Sequence, residues 1–184
     1  MIANDDKRKV MAGLDKVTLA ADFDFAMEMI DLLLGDYIGG GESRDVYDAA
    51  IYDNCVAKIE ITKPCINNIK EYLVWSFFAN TVYAEWFAPC IELTCNGRIL
   101  IQKKVEPITD ANKKLIPEYI PDIITDVKFE NCGFLDGHFV FFDYSGVLSA
   151  CVENAFKEGK MQKFESHIQR QVIYNEGEQI QLQL

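Results

Sequence analysis

Between Tyr37 and Val105 the chain alternates short β-prone runs with turn residues, and one long apolar stretch in that interval keeps helical spacing. Few folds accept that order. Val46 to Ile51 and Cys55 to Ile61 are joined by Tyr52-Asp53-Asn54, and a Gly39-Gly40-Gly41 turn precedes them. Ile91 to Val105 reads as a hairpin about Asn96-Gly97, a pair suited to the positive φ angles of a type I′ turn. Strands joined so closely pair antiparallel. Asn67 to Tyr83 carries Ile69, Leu73, Trp75, Phe77 and Phe78 at helical spacing, with Asn67 or Asn68 as cap, so the sheet gains a helix packed against it.

The flanks read differently. Ala20 to Leu34 has apolar residues at 23, 26, 27, 30, 33 and 34, an amphipathic helix with Gly35 as its stop. Prolines at 107, 117 and 121 punctuate a polar stretch that marks a boundary. Beyond it, Cys132 to Leu135, the turn Asp136-Gly137 and Phe139 to Phe142 suggest another hairpin; Val147 to Ile173 looks helical, and Asn175 to Leu184 is a Gln-rich end expected to fray. The expected division is 1–35, an N-terminal helical extension; 36–106, a sheet lobe; 107–174, a second, reduced lobe; and 175–184, a tail.

Composition narrows the function. In 184 residues, 49% apolar and 26% charged side chains are ordinary for a globular chain. Eighteen Lys and Arg stand against 29 Asp and Glu, net −11, which disfavours a nucleic-acid partner because such proteins need a basic face. No apolar stretch approaches the roughly 20 residues that span a bilayer, and Met1 to Val10 is charged with no apolar run behind it, so the expectation is a cytoplasmic protein without membrane anchoring. Cysteines at 55, 65, 90, 95, 132 and 151 form no C-x-x-C pair and only two histidines accompany them, so zinc is a poor expectation and buried thiols a better one.

Several polar residues stand in chemically suggestive positions. The glycine triplet lets backbone approach a ligand closely, although it also makes an ordinary flexible turn. Lys58 lies in the apolar strand Val56-Ala57-Lys58-Ile59, where it is either an outward solvated lysine or an ammonium needing a partner, and Glu71 on the following helix could pair with it or stay solvated. Asp126, Lys128 and Asn131 bring a carboxylate, an ammonium and an amide into one short loop. Asp143 ends an apolar strand twelve residues after Asn131, where a phosphate-bridging Mg²⁺ could use it.

Taken together, the glycine loop, strand lysine, helix glutamate, D-x-K-x-x-N loop and Asp143-Tyr144-Ser145-Gly146 resemble, in order and rough spacing, the protein kinase fold over about Tyr37 to Gly146. More narrowly, Trp86-Phe87-Ala88-Pro89-Cys90 with Asn131-Cys132-Gly133 is similar to small kinase-like proteins of bacteriophages and prophages. The resemblance implies an α+β, two-lobed fold: an antiparallel N-lobe of five strands with one buried helix, and a truncated helical C-lobe. It implies ATP and Mg²⁺ as cofactors. Gly39, Gly41 and Val46 would cover the nucleotide, Lys58 paired to Glu71 would hold its phosphates, and the backbone of Lys103 to Val105 would bond adenine. Asp126 would be the catalytic base, Lys128 would steady the γ-phosphate, and Asn131 with Asp143 would bind the metal.

Departures from the family pattern matter as much. Arg44 replaces the third glycine and could reach a phosphate or block it; Ile124-Thr125 stand where His-Arg normally brace the catalytic loop; and no A-P-E signature follows Gly146. Three readings remain: an ATP-dependent phosphotransferase, a nucleotide-binding pseudokinase docking to a host protein through its acidic surface, and a kinase-like shell that binds nothing.

Overall fold

The structure, a computed structural model, describes residues 32–61, 66–148 and 159–164. Most of the expected N-terminal helix, much of the 147–173 helix and the tail lie outside them. Among the described residues the architecture is α+β, with three antiparallel sheets and one α-helix. No helix among them is long and apolar enough to cross a membrane.

The largest sheet has the order β1 (Leu34–Gly40), β2 (Arg44–Ala49), β3 (Cys55–Glu60), β5 (Ile99–Lys103) and β4 (Cys90–Thr94). Its alternation decides its two faces. Cys55, Ala57 and Ile59 of β3 point to a small core with Leu34, Tyr47, Ile99 and Ile101. The intervening Val56, Lys58 and Glu60 point the other way and are buried as well, so neither face of this central strand meets water. The helix α1 (Asn67–Phe78) packs on that second face, and its Val74 and Phe78 join Phe87, Leu100, Ile120, Phe134, Phe141 and Val147 in the main core. Burying each large apolar side chain of this kind stabilises the fold by about 1.5–3 kcal/mol.

A smaller sheet orders β6 (Glu106–Pro107), β8 (Cys132–Leu135) and β9 (His138–Phe141), and β7 (Tyr119–Pro121) pairs with β10 (Met161–Lys163). The β8–β9 turn is as the sequence suggests: Asp136 and Gly137 both take positive φ, 50° and 81°. Phe87 bridges Phe141 in parallel, and the Ala88 amide donates to the Phe141 carbonyl at 2.8 Å, tying this sheet to the chain entering β4.

Four expectations need correction. The expected helix stops at Leu33, and Leu34 and Gly35 begin β1, where a Cβ on Gly35 would lie 3.1 Å from the Asp48 carbonyl oxygen. The 91–105 hairpin turns through a 3₁₀ segment, Cys95–Gly97, with positive φ at Cys95 and Gly97, rather than a two-residue type I′ turn. Helix α1 is not capped by an asparagine side chain: Ile66 holds the cap position, and the Asn68 backbone amide instead donates to Glu60 Oε1 at 2.7 Å. The described part of 107–174 is mostly short strands and 3₁₀ turns, with helix at Val147 and Leu148 where the expected 147–173 helix begins. Its Met161–Lys163 segment interrupts the expected 147–173 helix because it supplies the partner strand for Tyr119–Pro121.

Candidate functional site

Lys58 and Glu71, thirteen residues apart, meet in the buried space between β3 and α1, Nζ to Oε1 at 2.6 Å. The solvated alternatives for both are excluded, since the whole residues are 3% and 0% exposed. The Lys58 ammonium also donates to the Phe142 carbonyl, reaching from the large sheet to the end of β9. Burial lowers its pKa, more than Glu71 and Asp143 raise it.

Arg44, at the start of β2, joins this cluster. Its NH1 bonds Glu71 Oε2 at 2.8 Å and its NH2 bonds Asp143 Oδ1 at 2.6 Å. Burial disfavours the guanidinium charge, but Glu71 and Asp143 outweigh it and raise the pKa. Two cations and two carboxylates thus balance in one knot, buried at Arg44, Lys58 and Glu71 and 40% exposed at the Asp143 side chain. For Asp143, burial favours the neutral acid, yet Arg44 and Lys58 prevail and hold the carboxyl below its ordinary value.

That shift has a testable sign. With its folded-state pKa lowered, Asp143 contributes stability that is complete above the unfolded value of 3.8 and is lost as pH falls through the folded one. Urea melts across the acid range should show a shallower acid limb for Asp143→Asn than for the wild type; parallel limbs would mean the pair contributes nothing.

The loop after β7 carries the second group. Asn131 Nδ2 donates to Asp126 Oδ2 at 2.9 Å and to its carbonyl at 3.2 Å, while Lys128 Nζ lies 3.0 Å from Asp126 Oδ1. The Asp126 hydrogen bond leads, with its charge, in raising the Lys128 pKa. Both side chains stay about half exposed, 48% and 46%, so this pair faces solvent. The loop abuts Asp143 directly: the amides of Phe142 and Asp143 donate to the Asn131 carbonyl at 2.9 and 3.4 Å.

A cavity of about 150 Å³ opens beside Lys58, lined by Ile38, Val46, Val56, Gln102, Val105 and Phe142 among others, and Lys103 lines it too. It shares Val105 and Phe142 with a larger hollow of about 640 Å³ that runs along Pro107, Ile108 and Phe129. Gly39 and Gly41 lie at the tip of the β1–β2 hairpin, where an added Cβ would meet nothing within 4 Å, so the space around them is open. Of the site residues named from the sequence, Lys58 and Glu71 form a buried pair, Asp126, Lys128 and Asn131 a solvent-facing group whose Asn131 carbonyl meets the Asp143 amide, and Val46, Lys103 and Val105 line the cavity beside Lys58, whereas Gly39 and Gly41 line neither cavity.

Sequence reasoning missed three contributors. Gln102, wholly buried, donates to Glu71 Oε1 at 3.0 Å, and its Oε1 has no hydrogen-bond partner. Its signal was a polar residue in the apolar run Ile99-Leu100-Ile101. Tyr144 donates to the Ala88 carbonyl at 2.7 Å and contacts Cys90 Sγ at 3.1 Å, anchoring the segment after Asp143. Gln162 of β10 donates to the Ile124 carbonyl at 2.6 Å, bracing the Asp126 loop where the His-Arg brace is absent; nothing in the sequence announced it. Cys90 and Cys132 are buried free thiols whose pKa is pushed up to about 12 by burial, which leaves them inert.

No family model, curated protein or solved structure matches the chain.

Proposed function

We propose that the chain is a minimal kinase-like protein that binds ATP in this cleft and passes its terminal phosphoryl group to an acceptor. The observation that carries the reading is the Lys58–Glu71 ion pair beside a cavity that Lys58 lines together with Phe142, the residue before Asp143. A lysine that lines a cavity while a carboxylate fixes its ammonium is suited to anchoring a phosphate, because phosphoryl transfer asks the protein mainly to align and neutralise.

The cavity suits a purine at several points. Its walls are apolar at Ile38, Val46 and Val56, and the unpartnered Gln102 Oε1 in its lining region is a buried acceptor that an exocyclic amine would satisfy. The Lys103 and Lys104 amides are taken by the Pro89 and Asn54 carbonyls, so hydrogen bonding to a base falls to Val105 and neighbouring carbonyls. Asp126, oriented by Asn131 and Lys128 and open to solvent, is the group to accept an acceptor hydroxyl's proton. Lys128 adds positive charge where the terminal phosphate would travel.

A second reading has its own support. The Arg44–Asp143 bond satisfies the carboxylate without any ligand, which favours a pseudokinase that binds nucleotide and acts by docking to a host protein.

Thermal melts with ATP and label-transfer assays separate these readings. Binding predicts stabilisation of about 2.7 kcal/mol when ATP is present at about a hundred times its dissociation constant. An enzyme predicts label transfer that falls about a hundredfold or more in Asp126→Asn while ATP binding persists. No stabilisation at saturating nucleotide would end both readings. Binding with no transfer, or transfer unchanged in Asp126→Asn, would leave the pseudokinase.

A further inference from the structure

We infer that the face of the large sheet opposite α1 is a docking surface for the chain's own N-terminal segment: residues 20–31 lie across it as an amphipathic helix and close the second core. This goes beyond the nucleotide reading and does not depend on it.

That face is dry, yet no described helix or sheet lies over it. Tyr47, Cys55, Ala57, Ile59, Ile99 and Ile101 form one cluster with Leu34, and all are between 0% and 4% exposed. A single sheet does not keep water off its own face; a second layer must do so. The helix α1 lies on the other face, and Ile120, Phe134, Phe139 and Phe141 of the smaller sheets share the main core with it. Against the cluster the described residues place Leu33, Ala49, Tyr52 and Cys95, partly buried side chains at strand ends and turns. The middle of the face, where Ala57 pairs with Ile101, is left for another part of the chain to cover.

The entry to β1 selects that part. Leu32 and Leu33 are helical, and two residues do not complete a turn, so the helix reaches them from the N-terminal side. Leu33 packs on the cluster while Leu32 is 56% exposed, which fixes the inward and outward sides of the last turn. Carried backwards at about 100° per residue, that phase puts Phe23, Ala26, Met27 and Ile30 on the side of Leu33, and Asp24, Glu28 and Asp31 on the side of Leu32. The apolar stripe and the dry face therefore meet in phase. Length agrees as well: about 1.5 Å per residue gives the segment roughly 18 Å, and strands about 4.8 Å apart let it cross from β1 to β5. Other segments start from the wrong side, since 149–158 and the chain after 164 leave from Leu148 and Phe164, both packed against the main core. Because β3 carries Lys58 on its opposite face, the same layer backs the strand on which the buried ion pair is built.

Native-state alkylation of the full chain with iodoacetamide, read cysteine by cysteine by mass spectrometry, tests the placement. Cys55 lies on the covered face and Cys132 in the main core, so the two report separately on this face and on general unfolding. Ile30→Asp should speed alkylation of Cys55 by about tenfold or more through local opening and leave Cys132 within about threefold. Leu32→Asp, on the outward side, should change neither by more than about twofold. Ile30→Ala should give the same pattern at smaller size, and it replaces the aspartate variant if circular dichroism shows that one to be unfolded. Cys55 reactivity unchanged at Ile30 overturns the inference. So does an equal rise at Cys55 and Cys132 in Ile30→Ala, or an effect of Leu32→Asp as large as that of Ile30→Asp.

Discussion

Glu71→Ala is expected to destabilise the fold by about 3–5 kcal/mol, the cost of leaving buried charge uncompensated. Glu71 is wholly buried on α1 and is the only carboxylate in ion-pair contact with both Lys58 and Arg44 among the described residues. Gln102 adds a third bond to the same oxygen that Lys58 uses. Truncation would strand an ammonium buried in β3 and remove one of the two carboxylates that a guanidinium from β2 holds, and it would break the closest polar contact between helix and sheet. Against a total stability of about 5–15 kcal/mol for a domain, that loss is visible in a urea melt as a large fall in midpoint. Glu71→Ala combined with Lys58→Met should recover part of the loss, because removing both members of a buried pair costs less than orphaning one. A single-variant cost below about 1 kcal/mol would show that both cations reach other partners or water, and would remove the electrostatic knot from any account of the site.

That knot was half legible. Strand alternation around Lys58 allowed a buried face or a solvated one, and what decided between them was α1 covering that face, a tertiary fact outside the strand's own pattern. The Asp136-Gly137 turn was readable because its chemistry is local: both residues tolerate positive φ, and both adopt it. Asn68 misled for the opposite reason. Its side chain suits a cap, but burial of two backbone carbonyls, Lys58 and Arg98, recruits its amide at 2.9 and 2.8 Å, and satisfying them outweighs capping. Met161–Lys163 misled because a three-residue strand has no period to detect, and its pairing with Tyr119–Pro121 spans about forty residues. Arg44 was noticed but left between reaching a ligand and blocking one, since its partners lie 27 and 99 residues away. Local pattern thus recovered the elements and the residue types of the site, whereas long-range satisfaction of buried polar groups decided how those residues are engaged.

The same distinction predicts that the smallest side-chain change at Gly133 will be among the most damaging. Gly133 of β8 pairs with Pro107 of β6 at ordinary strand geometry, so conformation alone does not require glycine. Space does: a Cβ would lie 2.2 Å from the Glu106 carbonyl oxygen and 2.7 Å from a Val105 methyl. The first of these is backbone and cannot swing aside, so Gly133→Ala must push β6 off β8. Overpacking of this kind costs about 3 kcal/mol at the upper end of its usual range. The damage should also reach the site, because β6 continues directly from Val105, which lines both cavities. We expect Gly133→Ala to lower stability by about that amount and to weaken ATP binding, while Gly146→Ala, whose nearest neighbour would be the Thr125 hydroxyl at 3.4 Å, should stay within about 0.5 kcal/mol of wild type. Urea melts of the two variants side by side make the comparison. Equal stability of both would mean that β6 yields freely, and the Val105 wall would then be too compliant to fix a base in the cleft.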